Sequence, residues 1–161
     1  MNADIIWFKD CSYENKHLVG GKCSSLGELH SISKRIGFSI GDGFALSIKM
    51  YDDFIKYNDL ESKIEHMVEN IDTTNIRELE EKTKELRDVI SQGTLSKEHT
   101  DLIFQYYHKL SQIYGCESID VAVRSSALAE DLPNASFAGQ HDTFLNIKGT
   151  KDLIQSIKEC F

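Results

Sequence analysis

The chain has 161 residues, a formal net charge of −8 and a pI near 5.2. That length suits one domain, and the charge argues against a nucleic-acid partner, since no cluster of Lys and Arg could offset such a field along a phosphate backbone. Hydrophobic residues at 40% and charged residues at 27% exclude disordered and fibrous classes. Cys11, Cys23, Cys116 and Cys160 form no C-x-x-C pair, and the N-terminus carries only a four-residue apolar run. With no stretch near the roughly eighteen apolar residues that cross a bilayer, a cytoplasmic protein with reduced thiols and no membrane span is expected.

In chain order, "IIWF" (Ile5 to Phe8) predicts a short strand. "HLVGGKCSSLGELHSISKRIGF" follows as a glycine turn and then a helix with Leu26, Leu29 and Ile36 on one side. "DGFALSI" (Asp42 to Ile48) has the composition of a second strand. Ser47 can cap the next helix, whose apolar stripe is Met50, Tyr51, Phe54 and Ile55 and whose stop is Asn58. Three more helices are predicted, over Leu60 to Val68, Ile76 to Ile90 and Leu102 to Tyr114. Asn75 and Glu78 have capping-box spacing, Ser96 precedes the last of the three, and Gly115 sits where a left-handed glycine would end it.

After Gly115 the period changes. "SIDVAV" and "DTFLNI" predict strands, and "TKDLIQSIKECF" starts a helix capped by Thr150. A helical middle flanked by short strands is an α+β layout rather than alternating β and α. In the final helix, Leu153, Ile154, Ile157, Cys160 and Phe161 make an apolar face with no capping glycine or polar tail after it. We therefore expect a truncated chain, with that face open to a partner.

Two stretches carry candidate chemistry. In "GGK", Gly20 and Gly21 are free to adopt positive φ ahead of Lys22 and a helix N-terminus, where unsatisfied N–H groups favour an anion such as phosphate. An ordinary turn is the alternative, because the nucleotide P-loop pattern is absent. In "VAVRSSALAEDLPNASFAGQHDTFLN" (residues 121 to 146), Arg124 follows an alternating strand, where its planar guanidinium could grip phosphate oxygens or pair with Glu130 or Asp131. Ser125, Ser126 and Ser136 supply hydroxyls, and Ala127, Ala135, Ala138 and Gly139 leave the backbone open to a ligand.

Glu130, Asp131 and Asp142 have the hard oxygens magnesium prefers, but acids beside Pro133 in a loop more often pair with a cation or face water. The six histidines show no ligand spacing, and surface or satisfied positions are expected for them. No G-x-S-x-G elbow or H-E-x-x-H is present.

Taken together, "LVGGKCSSLGEL" and "VAVRSSALAEDLPNASFAGQHDTFLNI" resemble the hallmark segments of the phosphoenolpyruvate synthase (pyruvate, water dikinase) family. The same module occurs in pyruvate phosphate dikinase and in rifampin phosphotransferase. The resemblance implies the N-terminal lobe of an ATP-grasp domain that feeds a swivelling phosphohistidine domain. It implies that Lys22 and Arg124 hold the ATP phosphates, that Gly139 and Thr143 lie in the loop and strand closing over the nucleotide, and that Ser125 and Ser126 support that loop. It further implies that the second lobe, its carboxylates for Mg2+, and the histidine domain lie beyond Phe161, so that this chain alone has little or no catalytic activity. Gly41 and Asp42 stand where the family usually has prolines, and Leu128 where it has a polar residue. The acceptor, pyruvate or an antibiotic, lies outside these residues, and a non-catalytic nucleotide-binding or docking module is the remaining alternative.

Overall fold

Ile5–Trp7 (β1) pairs antiparallel with Phe44–Leu46 (β2), Ile6 lying opposite Ala45. Two short 3-10 turns lead from β1 into the long helix Lys16–Ile36 (α1). The architecture is that of a computed structural model describing residues 4–69, 71–128, 131–132, 135–136 and 142–161.

Four helices follow β2: Ile48–Tyr57 (α2), Glu61–Glu69 (α3), Ile76–Ser91 (α4) and Lys97–Ile113 (α5). Their starts follow local chemistry. The Asn75 side chain accepts from the Glu78 N–H while its amide reaches the Glu78 carboxylate, and Ser96 accepts from the His99 N–H. At the end of α5, Gly115 has φ +67°, its N–H bonds the Gln112 carbonyl, and the Cys116 N–H bonds the Ser111 carbonyl. That is the paired bonding of a Schellman motif, and it explains the glycine.

Val121–Arg124 (β3) then pairs antiparallel with Thr143–Ile147 (β6), and Thr150–Cys160 (α6) closes the described chain. An extra residue in β6 bulges opposite Ala122, with Asn146 at φ +57°, a conformation asparagine tolerates better than most residues. Inside the long link, Asp131–Leu132 (β4) and Ala135–Ser136 (β5) form a short antiparallel pair that periodicity did not reveal. The layout is thus mixed helix and small antiparallel strands, helical in the middle as the sequence predicts.

The main core gathers Ile5, Met50, Phe54, Ile55, Leu60, Leu95, Ile103, Tyr107, Leu153 and Ile157. A smaller one holds Cys11, Val19 and Ala45 between β1, β2 and the start of α1. The Tyr107 hydroxyl donates to the Ile119 carbonyl at 2.6 Å and accepts the Gly149 N–H at 2.9 Å, tying α5 to the end of the ribbon where β3 begins and β6 finishes. Those two bonds satisfy polar groups that would otherwise be costly to bury.

Four expectations change. In α1 the buried face is Val19, Gly20, Gly21, Ser24, Gly27 and Ser33, whereas Leu29 and Ile36 stand exposed. Small residues win that face because the neighbouring backbone lies too close for side chains: a Cβ on Gly27 would fall 1.9 Å from the Cys11 carbonyl oxygen. Ser47 sits at the N-cap of α2, yet its hydroxyl is buried and makes no cap bond; its own N–H is held by the Asp4 carbonyl. The N-cap of α6 is Gly149, at φ +85°, rather than Thr150, which lies inside the first turn. Finally, the apolar face of α6 is not open. Leu153 and Ile157 are buried, and the Phe161 ring packs 5.0 Å from that of Phe54 and 5.3 Å from that of Tyr51.

Candidate nucleotide site

Gly20 interrupts α1 with φ +79° and ψ 175°, backbone space that is essentially reserved for glycine. The break makes residue 21 the start of a fresh helical segment that runs to Ile36. Gly20 therefore stands ahead of that segment and Gly21 is its first residue, so the expected glycine turn is a single-residue break within a longer helix, and the segment presents its own N–H groups and dipole at Gly21, Lys22 and Cys23.

Those groups meet the loop that follows β3. The Cys23 N–H donates to Ser126 Oγ at 3.1 Å, and the Gly21 N–H donates to the Ala127 carbonyl at 3.4 Å. A Cβ on Gly20 would lie 1.7 Å from the Ser126 carbonyl oxygen, so only glycine lets the two backbones touch. Ser24, 1% exposed, returns its hydroxyl to the Gly21 carbonyl at 2.9 Å and locks the turn. The helix N-terminus expected to offer free N–H groups to an anion is thus already engaged by the chain at Gly21 and Cys23. That capping also takes up part of the positive end of the helix dipole, which resides on those N–H groups.

Around this junction the candidate side chains gather. Arg124 is exposed at the end of β3, and its Cα partner across the ribbon is Thr143, also exposed. Ser125 follows directly, with its hydroxyl buried and, among the described residues, without a hydrogen-bond partner. Lys22 is half-buried on α1. It neighbours two thiols: the Cys160 thiol is pushed up to about 11, chiefly by burial, with Asp142 and Glu159 adding to the rise and Lys22 opposing it. Burial also raises Cys23, opposed by its hydrogen bond from Ser126 and by Lys22. Lys22, Asp142, Cys23 and Cys160 therefore share one neighbourhood.

Gly139 lies outside the described residues, as do Glu130, Pro133 and His141 and the side chains of Asp131 and Ser136. The structure brings together Gly20, Gly21, Lys22, Ser125 and Ser126, with Arg124 and Thr143 at the adjoining ribbon end. Sequence reasoning missed Cys23, which contributes through its backbone N–H and so leaves no residue-type signal, and the open backbone it assigned to Ala127 is used by the Gly21 N–H.

His30 and His99 lie beside carboxylates away from this junction. His30 Nε2 lies 3.1 Å from Asp42 Oδ1, and the buried His99 lies 3.8 Å from Asp53, which in turn holds Lys49. Among the described residues, no group of three His, Cys, Asp or Glu side chains could hold a metal ion. None of the described helices is long and apolar enough to cross a membrane.

The family model described as the pyruvate phosphate dikinase AMP/ATP-binding domain matches residues 16–161. The chain is 39% identical to the phosphoenolpyruvate synthase of Aquifex aeolicus over 99% of its own length and 19% of that protein. It is 45% identical to that of Helicobacter pylori, over 97% of this chain and 19% of that one. With the phosphoenolpyruvate synthase of Synechocystis sp. it shares 36% identity over 99% of this chain and 20% of that protein. The chain thus spans about a fifth of the length of the curated relatives it matches.

Proposed function

We propose, from the premise that this chain belongs to the pyruvate phosphate dikinase AMP/ATP-binding domain family, that its nucleotide phosphates are held where α1 restarts beside the end of β3. Lys22 and Arg124 neutralise phosphate charge, Arg124 by a bidentate grip and Lys22 as a point charge. Gly20 and Gly21 hold the backbone close, Ser125 and Ser126 shape the loop, and Gly139 and Thr143 belong to the loop and strand that close over the nucleotide and exclude water.

The observation that carries this reading is the bond from the Cys23 N–H to Ser126 Oγ, which joins two motifs 103 residues apart in sequence. Neither motif had to meet the other for the chain to fold into helices and strands. Their contact puts one cation from each at a common junction.

In the wider reading, the chain is one lobe of an ATP-grasp module in a phosphoenolpyruvate synthase-like dikinase. Positioned cations favour transfer of a phosphoryl group from ATP to a histidine on another domain, and from there to pyruvate. Magnesium enters with ATP, its carboxylate ligands assigned to the second lobe. The chain's own part is to bind and orient phosphate, and we place the enzyme in the cytoplasm.

Calorimetric titration of magnesium–ATP into the wild-type chain and into Lys22→Ala and Arg124→Ala tests this. Each substitution should remove a charge-assisted contact of about 1.5–3 kcal/mol, weakening binding about ten- to 150-fold. Equal affinities in all three folded proteins would remove the two cations from the site.

A further inference from the structure

Ser126 does more than line a loop. Its hydroxyl accepts the N–H of the third residue of the helical segment that restarts at Gly21, which is the bond an N-cap side chain makes. The residue at the cap position itself is Gly20, which has no side chain to offer. The cap is therefore supplied in trans, from a strand end about a hundred residues later in the chain.

A second observation points the same way. The backbone of Gly20 approaches the Ser126 carbonyl so closely that any Cβ would overlap it, and the Gly21 N–H reaches the Ala127 carbonyl. Three contacts thus clamp residues 20–23 to residues 126–127. Lys22 lies between two clamped residues, and Arg124 lies two residues before the clamp.

We infer that Ser126 is the positioning residue of the nucleotide site: by capping the α1 segment in trans, it sets the position of Lys22 relative to Arg124. This inference rests on the phosphate-binding role proposed above for those two cations. Ser126 acts through Lys22 and need not touch the nucleotide. Its hydroxyl fixes the turn from which the lysine projects, and the bond is lost if the hydroxyl is removed.

The test is a double-mutant cycle on ATP affinity, with wild type, Ser126→Ala, Lys22→Ala and the double variant, and with Ser126→Thr as the variant that keeps a hydroxyl. Ser126→Ala should weaken ATP binding by about five-fold or more, on the scale of a lost helix cap. In the Lys22→Ala background the same change should cost almost nothing, because its effect runs through the lysine. Ser126→Thr should recover most of the affinity, and the amide proton of Cys23 should exchange faster in Ser126→Ala than in wild type.

Equal losses from Ser126→Ala in both backgrounds would make it a merely structural residue and overturn the inference, leaving the nucleotide site intact. If Ser126→Ala does not fold, the threonine variant decides: wild-type affinity supports the inference, and a folded, weakly binding Ser126→Thr with a protected Cys23 amide overturns it. A folded wild-type chain whose ATP affinity is unaffected by Lys22→Ala overturns the phosphate-binding reading itself, and this one with it.

Discussion

Replacing Gly20 with alanine is expected to lower the melting temperature by about 6–12 °C, from a loss near 3 kcal/mol in a domain where each kcal/mol is worth about 2–4 °C. Two penalties combine. The residue's φ of +79° with ψ of 175° lies in space that side-chain-bearing residues avoid. The new Cβ would also stand 1.7 Å from the Ser126 carbonyl oxygen, a backbone atom that cannot rotate away. The chain can escape only by straightening the break in α1 or pushing the β3 loop outward, and either movement opens the clamp. Thermal unfolding followed by circular dichroism measures the shift, and a change below about 2 °C would mean that the contact yields easily.

An effect at least as large is expected in the main core. Phe54 is 1% exposed in α2, with its ring against Phe161 of the chain end. A Cβ on Gly93 would sit 2.4 Å from its ring, so the glycine after α4 leaves room for that aromatic group. Phe54→Ala should cost about 3–5 kcal/mol, because it combines lost transfer energy with a cavity that rigid neighbours cannot fill, and should lower the melting temperature by about 6–20 °C. ATP affinity of the folded fraction should stay close to wild type, since Phe54 belongs to the main core and the clamp to the smaller one. Urea unfolding checks the stability, and a cost under about 1 kcal/mol would indicate a core able to collapse around the gap.

These two residues mark the range of what sequence alone reveals. Phe54 was legible because Met50, Phe54 and Ile55 repeat at helical spacing, and all three are buried. The capping chemistry of Asn75, Ser96 and Gly115 was legible for the same reason, being local. The α1 face was not. Apolar periodicity pointed to Leu26, Leu29 and Ile36, whereas the face that packs is small, since its neighbours are backbone atoms of Cys11 and Ser126. Hydropathy records which side chains avoid water, and it is blind to a surface whose task is close approach.

The same limit applies to the candidate site. Lys22 and Arg124 stood out as cations next to small residues, and the two motifs together revealed the family. Their physical junction runs through the Cys23 and Gly21 N–H groups and the Ala127 carbonyl, which every residue carries. Ser47 and Thr150 failed as caps in the opposite way: both residue types fit, but the first has a buried hydroxyl without a partner and the second is displaced by a glycine at positive φ. The last helix looked open only because its partners, Tyr51 and Phe54, lie about a hundred residues away.

The central claim is that two distant motifs form one phosphate-binding unit, and amide chemical shifts followed during an ATP titration test it most directly. Residues 20–24 and 124–127 should move together, along one binding curve with a single dissociation constant. Shifts confined to one of the two segments, or located elsewhere while both stay still, would contradict it.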